Sequence, residues 1–353
     1  MKVQSVHLKY FKRFRNPPTF DFTDPETGLA RDLIVLIGMN GAGKTSLLQA
    51  IAATLGVATG RLQKLPDLEW AGFNYELLGR NWGKFTPDVT VQVQFSSPEI
   101  QAVQEFQQKL REMGRDLQAP GEKNIVTLKW RNDRVQAGTA AELFQFKGRE
   151  YAKQLRRSEG FQVFERVGTS LWYTEQRTST SLTTENPERK LEITDDTLRG
   201  QLSTWRQFHQ SFEIGKIQQL HLGQKDLYAE IEQAYRAVFP ERSFEGPVPR
   251  EEIDDILSKP WFYLYDGKNQ YEISEMSGGE RATFPMLMDF ANWNIHNSVI
   301  LIDEIELHLH PPMQQALLRA LPKLGKNNQF IITTHSDYVE QLVPEAYVVR
   351  LEV

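Results

Sequence analysis

The sequence predicts an α/β fold: a central, mostly parallel sheet joined to an antiparallel β lobe and a helical insert. Three observations predict it. A continuous apolar run, Leu33-Ile34-Val35-Leu36-Ile37, enters a glycine-rich turn and then a helical pattern. Two further short apolar strands, Ser298–Asp303 and Phe330–Thr334, flank a helical stripe near the C-terminus. Between these regions Val89, Val91, Val93 and Phe95 alternate strictly with polar residues. Continuous apolar runs suit strands buried on both faces, whereas alternation marks a half-buried antiparallel strand.

Taken in order, Val3, Val6 and Leu8 alternate loosely and lead into Phe11-Lys12-Arg13-Phe14. After the glycine-rich turn, Leu47, Leu48, Ile51 and Leu55 share one helical face, with Gly56 as the expected C-terminal cap. Ser97-Pro98 reads as the cap and first position of a helix whose apolar face is Ile100, Val103, Phe106 and Leu110. Val126, Leu128 and Trp130 give another alternating strand, and a mixed helical region ends in a strand at Ser170–Tyr173. Gln176 to Thr197 is rich in Ser, Thr and charge and reads as an exposed loop. Leu198, Leu202, Trp205 and Phe212 mark one helix; Leu227, Ile231, Tyr235 and Val238 mark the next. Gly246-Pro247-Val248-Pro249 reads as a loop between two halves of the fold. Met313, Leu317 and Leu321 form the last helical stripe, with Pro311-Pro312 where a helix start tolerates proline. No fixed-period repeat and no sustained heptads occur, which excludes a long coiled-coil arm.

The bulk numbers narrow the class. The chain has 353 residues, 40% hydrophobic and 25% charged, a balance that can bury a full core. It has no cysteine, which excludes disulfides, thiolate zinc sites and cysteine nucleophiles and fits a reducing compartment. The N-terminus lacks the apolar stretch of a secretory signal, and no window approaches the ~18 apolar residues that span a bilayer. A cytoplasmic globular protein is expected. With a net charge of -5, any nucleic-acid contact must use a local basic patch.

Gly38-Met39-Asn40-Gly41-Ala42-Gly43-Lys44-Thr45 matches the pattern G-x-x-x-x-G-K-[ST]. Its glycines let the backbone curl until N–H groups face a β-phosphate, and the helix that follows adds its positive end. Gly38, Asn40, Gly41, Ala42, Gly43, Lys44, Thr45 and the following Ser46 are the expected nucleotide contacts. Lys44 reaches the β/γ-phosphates and the Thr45 hydroxyl binds Mg²⁺. Val299-Ile300-Leu301-Ile302-Asp303-Glu304 is an apolar strand ending in two acids: Asp303 on the magnesium side, Glu304 placed to orient or deprotonate the attacking water. Ser277-Gly278-Gly279-Glu280-Arg281 opens a helix with Phe284, Leu287, Met288 and Ala291 on its buried face. That start is either a second anion nest or a simple cap; one triphosphate needs a second nest only if another copy supplies it. Pro285 is unusual inside that helix. His335, at the end of Phe330–Thr334, either hydrogen-bonds a γ-phosphate or attacking water, or is a plain loop histidine.

Together these residues resemble an ABC-type ATPase: Walker A at 38–45, signature at 277–281, Walker B at 299–304 and switch histidine at His335. Asp303-Glu304-Ile305-Glu306-Leu307-His308-Leu309-His310-Pro311 is similar to the DEPExHLHP segment of the RecF/SMC/OLD branch, with Ile305 where proline is usual. Phe11-Lys12-Arg13-Phe14 resembles that branch's nF+sF opening. The resemblance spans essentially the whole chain. It implies a P-loop NTPase of ABC type, with ATP and Mg²⁺ as cofactors and Ser277, Gly278, Gly279 and Glu280 on the nucleotide. It also implies Gln176 as the Q-loop ligand of magnesium. The expected domains are an N-terminal ATPase lobe with Walker A over 1–96, an insert of strands and helices over 97–240, and a C-terminal lobe over 241–353.

Lys44 and Ser277 stand much further apart than in a transporter's ATPase subunit, which makes that role the minority reading. The nuclease domain that OLD proteins usually carry after the ATPase is expected to be absent, because the sequence stops at Val353. Two basic groups, Lys2, Lys9, Lys12, Arg13, Arg15 and Lys147, Arg149, Lys153, Arg156, Arg157, are either phosphate-tracking surfaces for DNA or solvated faces. The expected function is an ATP-hydrolysing, ATP-sandwiched homodimer. It acts as a gated clamp or switch in DNA repair or anti-phage defence, with an effector protein on another chain and no membrane. The rivals are an ATP-dependent scaffold without nucleic acid and the ATPase subunit of a transporter.

Overall fold

The computed structural model describes residues 1–15, 18–78, 85–175, 194–213, 226–249 and 260–351. The chain forms two units: Met1–Thr180 with Ile295–Glu306 and Gly325–Val353, and Ser181–Asn294 with Leu307–Leu324. These units cut the sequence differently from three consecutive segments. The stretch 97–240 contributes to both, and so does 241–353. The cause lies in the sheet of the first unit, which takes one strand from residues 170–173 and two from 299–333, so the chain leaves it and returns.

That sheet is parallel throughout and runs Val348–Arg350 (β13), Leu33–Ile37 (β3), Gln329–Thr333 (β12), Val299–Ile302 (β11) and Ser170–Tyr173 (β7). Strands β11 and β12 are buried along their whole length and β3 along its middle, as the unbroken apolar runs require. Ile302 pairs with both Ile332 and Tyr173, and Ile332 with Val35. The register therefore brings Asp303, Thr333 and the glycine loop to one level at the C-terminal edge.

An antiparallel sheet lies in the same unit: Thr19–Asp21 (β2), Lys2–Lys9 (β1), Asp88–Gln94 (β4), Ile125–Arg131 (β5) and Arg134–Gln136 (β6). Its alternation is as the sequence predicts, with Val89, Val91 and Val93 facing Val126 and Leu128 in the core. Helix α1 (Lys44–Ala58) packs against strands of both sheets. The sequence predicts one apolar stripe on α1, yet the helix is buried nearly all round, because the second sheet covers the face a single sheet would leave to solvent. Ala50, Ala52 and Ala53 let the strands approach. Gly56 does the same and is not the cap: α1 continues through it to Ala58, and a Cβ there would lie 2.7 Å from Leu62 Cδ1.

Helix α2 (Ser97–Glu112) begins one residue earlier than read, with Ser96 as its cap. Helix α3 (Ala140–Phe144) follows β6, and α4 (Gly148–Glu159) packs on α2 through Val103, Phe106, Tyr151 and Leu155. Helix α9 (Asp337–Leu342) follows β12.

The second unit holds α5 (Asp195–Glu213), α6 (Leu227–Val238), α7 (Gly278–Trp293), α8 (Pro311–Ala320) and a three-stranded antiparallel sheet. Its strands are β8 (Ser243–Val248), β9 (Trp261–Tyr265) and β10 (Gln270–Glu272), with β9 central. The core is aromatic: Phe244 packs with Tyr228, Tyr235 and Phe262 at centroid distances of 5.1–5.8 Å. The segment Gly246-Pro247-Val248, read as a loop, belongs to β8. An edge strand tolerates proline, and the register shift between Phe244 and Gly246 makes room for it. Asp195 to Thr197, read as the end of a loop, are the first turn of α5; residues 176–193 lie outside the described residues. Among the described residues no helix is long and apolar enough to cross a membrane.

Thr54 of α1 accepts the indole N–H of Trp130 on β5 at 2.8 Å, both residues buried. Thr54→Val keeps the shape and orphans that donor. A loss of about 1–3 kcal/mol is expected, read as a lower urea midpoint at unchanged slope.

Candidate functional site

Strand β3 delivers the chain into the loop Gly38–Gly43, and α1 starts at Lys44. Gly43 caps the helix with φ +101°, a left-handed conformation that favours glycine. A Cβ there would lie 2.6 Å from the Phe14 ring, so the FKRF turn packs directly on the phosphate loop. This packing is the physical role of the N-terminal aromatic motif.

The Lys44 ammonium is buried and donates to Gly38 O at 2.6 Å, and it lies 3.2 Å from His335 Nδ1. Burial pulls its pKa down against the attraction of Asp303, Glu304 and Glu306. Thr45 Oγ1 donates to Asp303 Oδ1 at 3.1 Å. The same carboxylate oxygen accepts Thr333 Oγ1 at 2.6 Å, and Thr333 Oγ1 in turn accepts the Glu304 N–H at 2.8 Å. Glu304 stands just past the strand with φ +49°. Its carboxylate lies 3.8 Å from His335 Nε2. Burial raises the Glu304 pKa, Asp303 and Glu306 add to the rise, and His335 opposes it.

Ile305 stands where the resembled segment has proline, and its N–H donates to Thr333 O at 3.1 Å. Glu306 accepts the His335 N–H at 2.5 Å, so the histidine loop is tied to the acid turn. Loop, acids and histidine, each expected from the sequence, therefore converge within one unit.

Two groups were not expected here. A cavity of about 280 Å³ beside the loop is lined by Gly41 to Ser46 and His335, and also by Lys12 and Arg13. The sequence reads Lys12 and Arg13 as part of a phosphate-tracking surface or a solvated face, since nothing local shows a turn folding back over a loop some thirty residues later. Lys12 Nζ donates to Gln49 Oε1 and to Gly72 O at 2.7 Å, and burial lowers its pKa to about 8. Thr333 was also missed, although a hydroxyl one strand from the acids is a readable signal.

The signature residues belong to the second unit. Ser277 caps α7, and Ser277 and Gly278 are exposed. Gly279 is buried, and a Cβ there would lie 3.0 Å from Leu309 Cδ2. Glu280, expected on the nucleotide, is 1% exposed, with its carboxylate engaged by Ser277, Tyr235, Tyr271 and Arg242. A carboxylate so committed is an internal strut, which corrects the expectation. Pro285 lies inside α7. Gln176, expected as a magnesium ligand, lies outside the described residues.

The Lys147–Arg157 cluster is not one basic face. Arg149 is buried with its guanidinium 4.1 Å from the Phe164 ring centre, and burial lowers its pKa to about 9. Lys147 pairs with Glu150 at 3.6 Å, and Arg156 lies over Phe161.

A phosphate loop after one parallel strand, a carboxylate at the tip of the next strand but one and a capped Ser-Gly-Gly helix define a P-loop NTPase of ABC type. The chain belongs to the family described as "AAA domain, putative AbiEii toxin, Type IV TA system", whose model matches residues 33–339. It is 41% identical to "Retron Ec83 probable ATPase" of Escherichia coli over an 85-residue alignment covering 20% of this chain and 16% of that protein. It is 36% identical to "Protein ea59" of Escherichia phage lambda over 102 residues, 28% of this chain and 18% of that one. The chain thus spans less than a fifth of these relatives. A structure described as SmcHead bound to the C-winged helix domain of ScpA matches with a TM-score of 0.54 and 13% identity, over 99% of this chain and 94% of that one. That likeness is one of fold.

A phosphate in the cavity reverses the depression of Lys12. Nucleotide binding is therefore expected to take up protons above about pH 8, and affinity to fall by up to about tenfold per pH unit there. Calorimetry in two buffers of different ionisation enthalpy measures the uptake, which Lys12→Met should remove.

Proposed function

We propose that the protein binds and hydrolyses ATP with Mg²⁺, and that ATP closes a homodimer serving as a switch in anti-phage defence. The observation that carries this reading is the convergence of Lys44, the Thr45–Asp303 pair and the Glu304–His335 pair on one side of the glycine loop. Thr45 Oγ1 and the Asp303 carboxylate are hard oxygen donors of the kind magnesium prefers, and they would hold it. When bound, the ion neutralises charge on the phosphates.

The chain's own residues do the rest. Lys44 turns from the loop carbonyls to the β/γ-phosphates, while the loop N–H groups cradle them. Glu304 accepts the proton of the attacking water, and its raised pKa makes it a better base than an ordinary carboxylate. His335, held through its own N–H by Glu306, orients that water or the γ-phosphate. Ser277 and Gly278 of one copy cap the γ-phosphate bound by the other, which makes the nucleotide the glue of a two-fold dimer. The retron relative and the toxin–antitoxin description of the family support defence over DNA repair, with the effector on a separate chain. Direct DNA contact draws little from the insert, where Arg149 is buried and Lys147 is paired.

Lys44→Ala should abolish nucleotide binding. Glu304→Gln should keep it while turnover drops by roughly 10²–10⁴-fold, the usual worth of a positioned base. Binding and turnover assays on the pure protein decide this; a Glu304→Gln variant with wild-type turnover removes Glu304 from the mechanism.

In the Glu304→Gln background, ATP and Mg²⁺ should double the mass seen by light scattering. Adding Ser277→Arg should block the doubling and leave ATP binding intact. A mass that ignores ATP at all concentrations would overturn the sandwich.

A further inference from the structure

Glu280 of the signature is an ionised group inside the second unit. One oxygen, Oε2, accepts the Ser277 N–H at 2.8 Å and the Ser277 hydroxyl at 2.8 Å; the Glu280 N–H returns a longer bond to Ser277 Oγ at 3.4 Å. This is a capping box, and Ser277 and Glu280 alone complete it. The other oxygen, Oε1, is held by three more donors from three other places in the chain. These are Tyr235 on α6, Arg242 just before β8, and Tyr271 on β10. The two phenol oxygens lie 3.1 Å from each other. Burial alone would raise the Glu280 pKa; Arg242, the phenols and Ser277 outweigh it and hold the group below the ordinary carboxylate range. A cap needs none of these groups, and a buried charge is tolerated only with partners of this quality.

We propose that Arg242, Tyr235 and Tyr271 are positioning residues that act through Glu280 on Ser277, fixing the signature serine for a phosphate held by a second copy of this chain. The inference rests on the ATP-sandwich reading above. A serine hydroxyl has one proton. Here it points at Glu280, so engaging a phosphate means turning that proton outward while the Ser277 N–H stays anchored on Oε2. The anchor holds because Oε1 is saturated by Arg242 and the two phenols and the carboxylate cannot rotate. Gly279 removes the remaining play, since it is closed in by Leu309 and the His308 carbonyl.

The test compares Ser277→Ala, Glu280→Gln, Tyr271→Phe and the Ser277→Ala/Glu280→Gln double variant for ATP affinity in dilute protein and for turnover across protein concentration. Glu280→Gln sets an amide donor against Ser277 or against Arg242, whereas Tyr271→Phe removes one hydrogen bond at nearly constant volume. Affinity should stay within about twofold of wild type in every variant. Turnover should fall by about tenfold or more in Glu280→Gln and by less in Tyr271→Phe. The double variant should be no slower than the worse single one, because Glu280 acts through Ser277. If Ser277→Ala is slow while Glu280→Gln and Tyr271→Phe turn over like wild type, the positioning role is overturned and the sandwich stands. Additive losses in the double variant overturn it as well. If Ser277→Ala matches wild type and turnover per molecule ignores protein concentration, the sandwich falls, and the positioning role with it.

Discussion

Asp303 lies at the tip of β11, 1% exposed, with one carboxylate oxygen shared by two hydroxyls. A buried carboxylate costs several kcal/mol unless donors surround it, so Thr45 and Thr333 are conditions of its presence there. Thr45 belongs to the first turn of α1 and Thr333 to the end of β12, and each reaches Asp303 only because the parallel register levels the three strand ends. The Thr45–Asp303 bond, the direction of the Glu304 backbone and the height of the phosphate loop all follow from this alignment. A one-residue slip of β12 would turn Thr333 to the other face and unmake all three.

The same unit solves a packing problem. The helix that carries the phosphate loop is enclosed by two sheets, so its small residues matter as much as its leucines. Polar groups caught inside are paired: Gln49 donates to Ala71 O, and Thr54 bridges Ala50 O and Trp130. Enclosure gives the loop a rigid base, and Phe14 against Gly43 fixes it from outside. The second unit relies instead on edge-on and tilted ring contacts and on ion pairs, Arg199 with Glu272 and Arg242 with Glu280.

Much of this was legible in the residues. Gly38–Thr45, Asp303, Glu304 and His335 were readable because each is a local pattern whose chemistry depends on its neighbours in sequence. The strands at 33–37, 89–95, 126–130 and 299–302 were readable because burial on one face or two writes different periods. What escaped was non-local. Lys12 and Arg13 reach the cavity by a fold-back that no period encodes. Gly56 looked like a cap because the partner it packs on, Leu62, lies beyond the helix. Gly246-Pro247 looked like a turn because sequence does not show that its strand is at an edge. Arg149 was read within a basic surface group and Glu280 on the nucleotide, and each is buried by partners whose positions only the fold supplies.

Ile305 shows how such a site constrains what can stand beside its acids. Its N–H adds a rung between the acid turn and the neighbouring strand, and proline has no N–H to offer. With isoleucine here the turn has, in place of the local stiffness of a proline ring, stiffness borrowed from β12. Placing proline here is then more than a local change. Proline would leave the Thr333 carbonyl short of a partner in a buried strand, and it would disturb the residue whose hydroxyl steadies Asp303. The rung runs from main chain to main chain, so it asks only for an N–H at 305 and for β12 held in register.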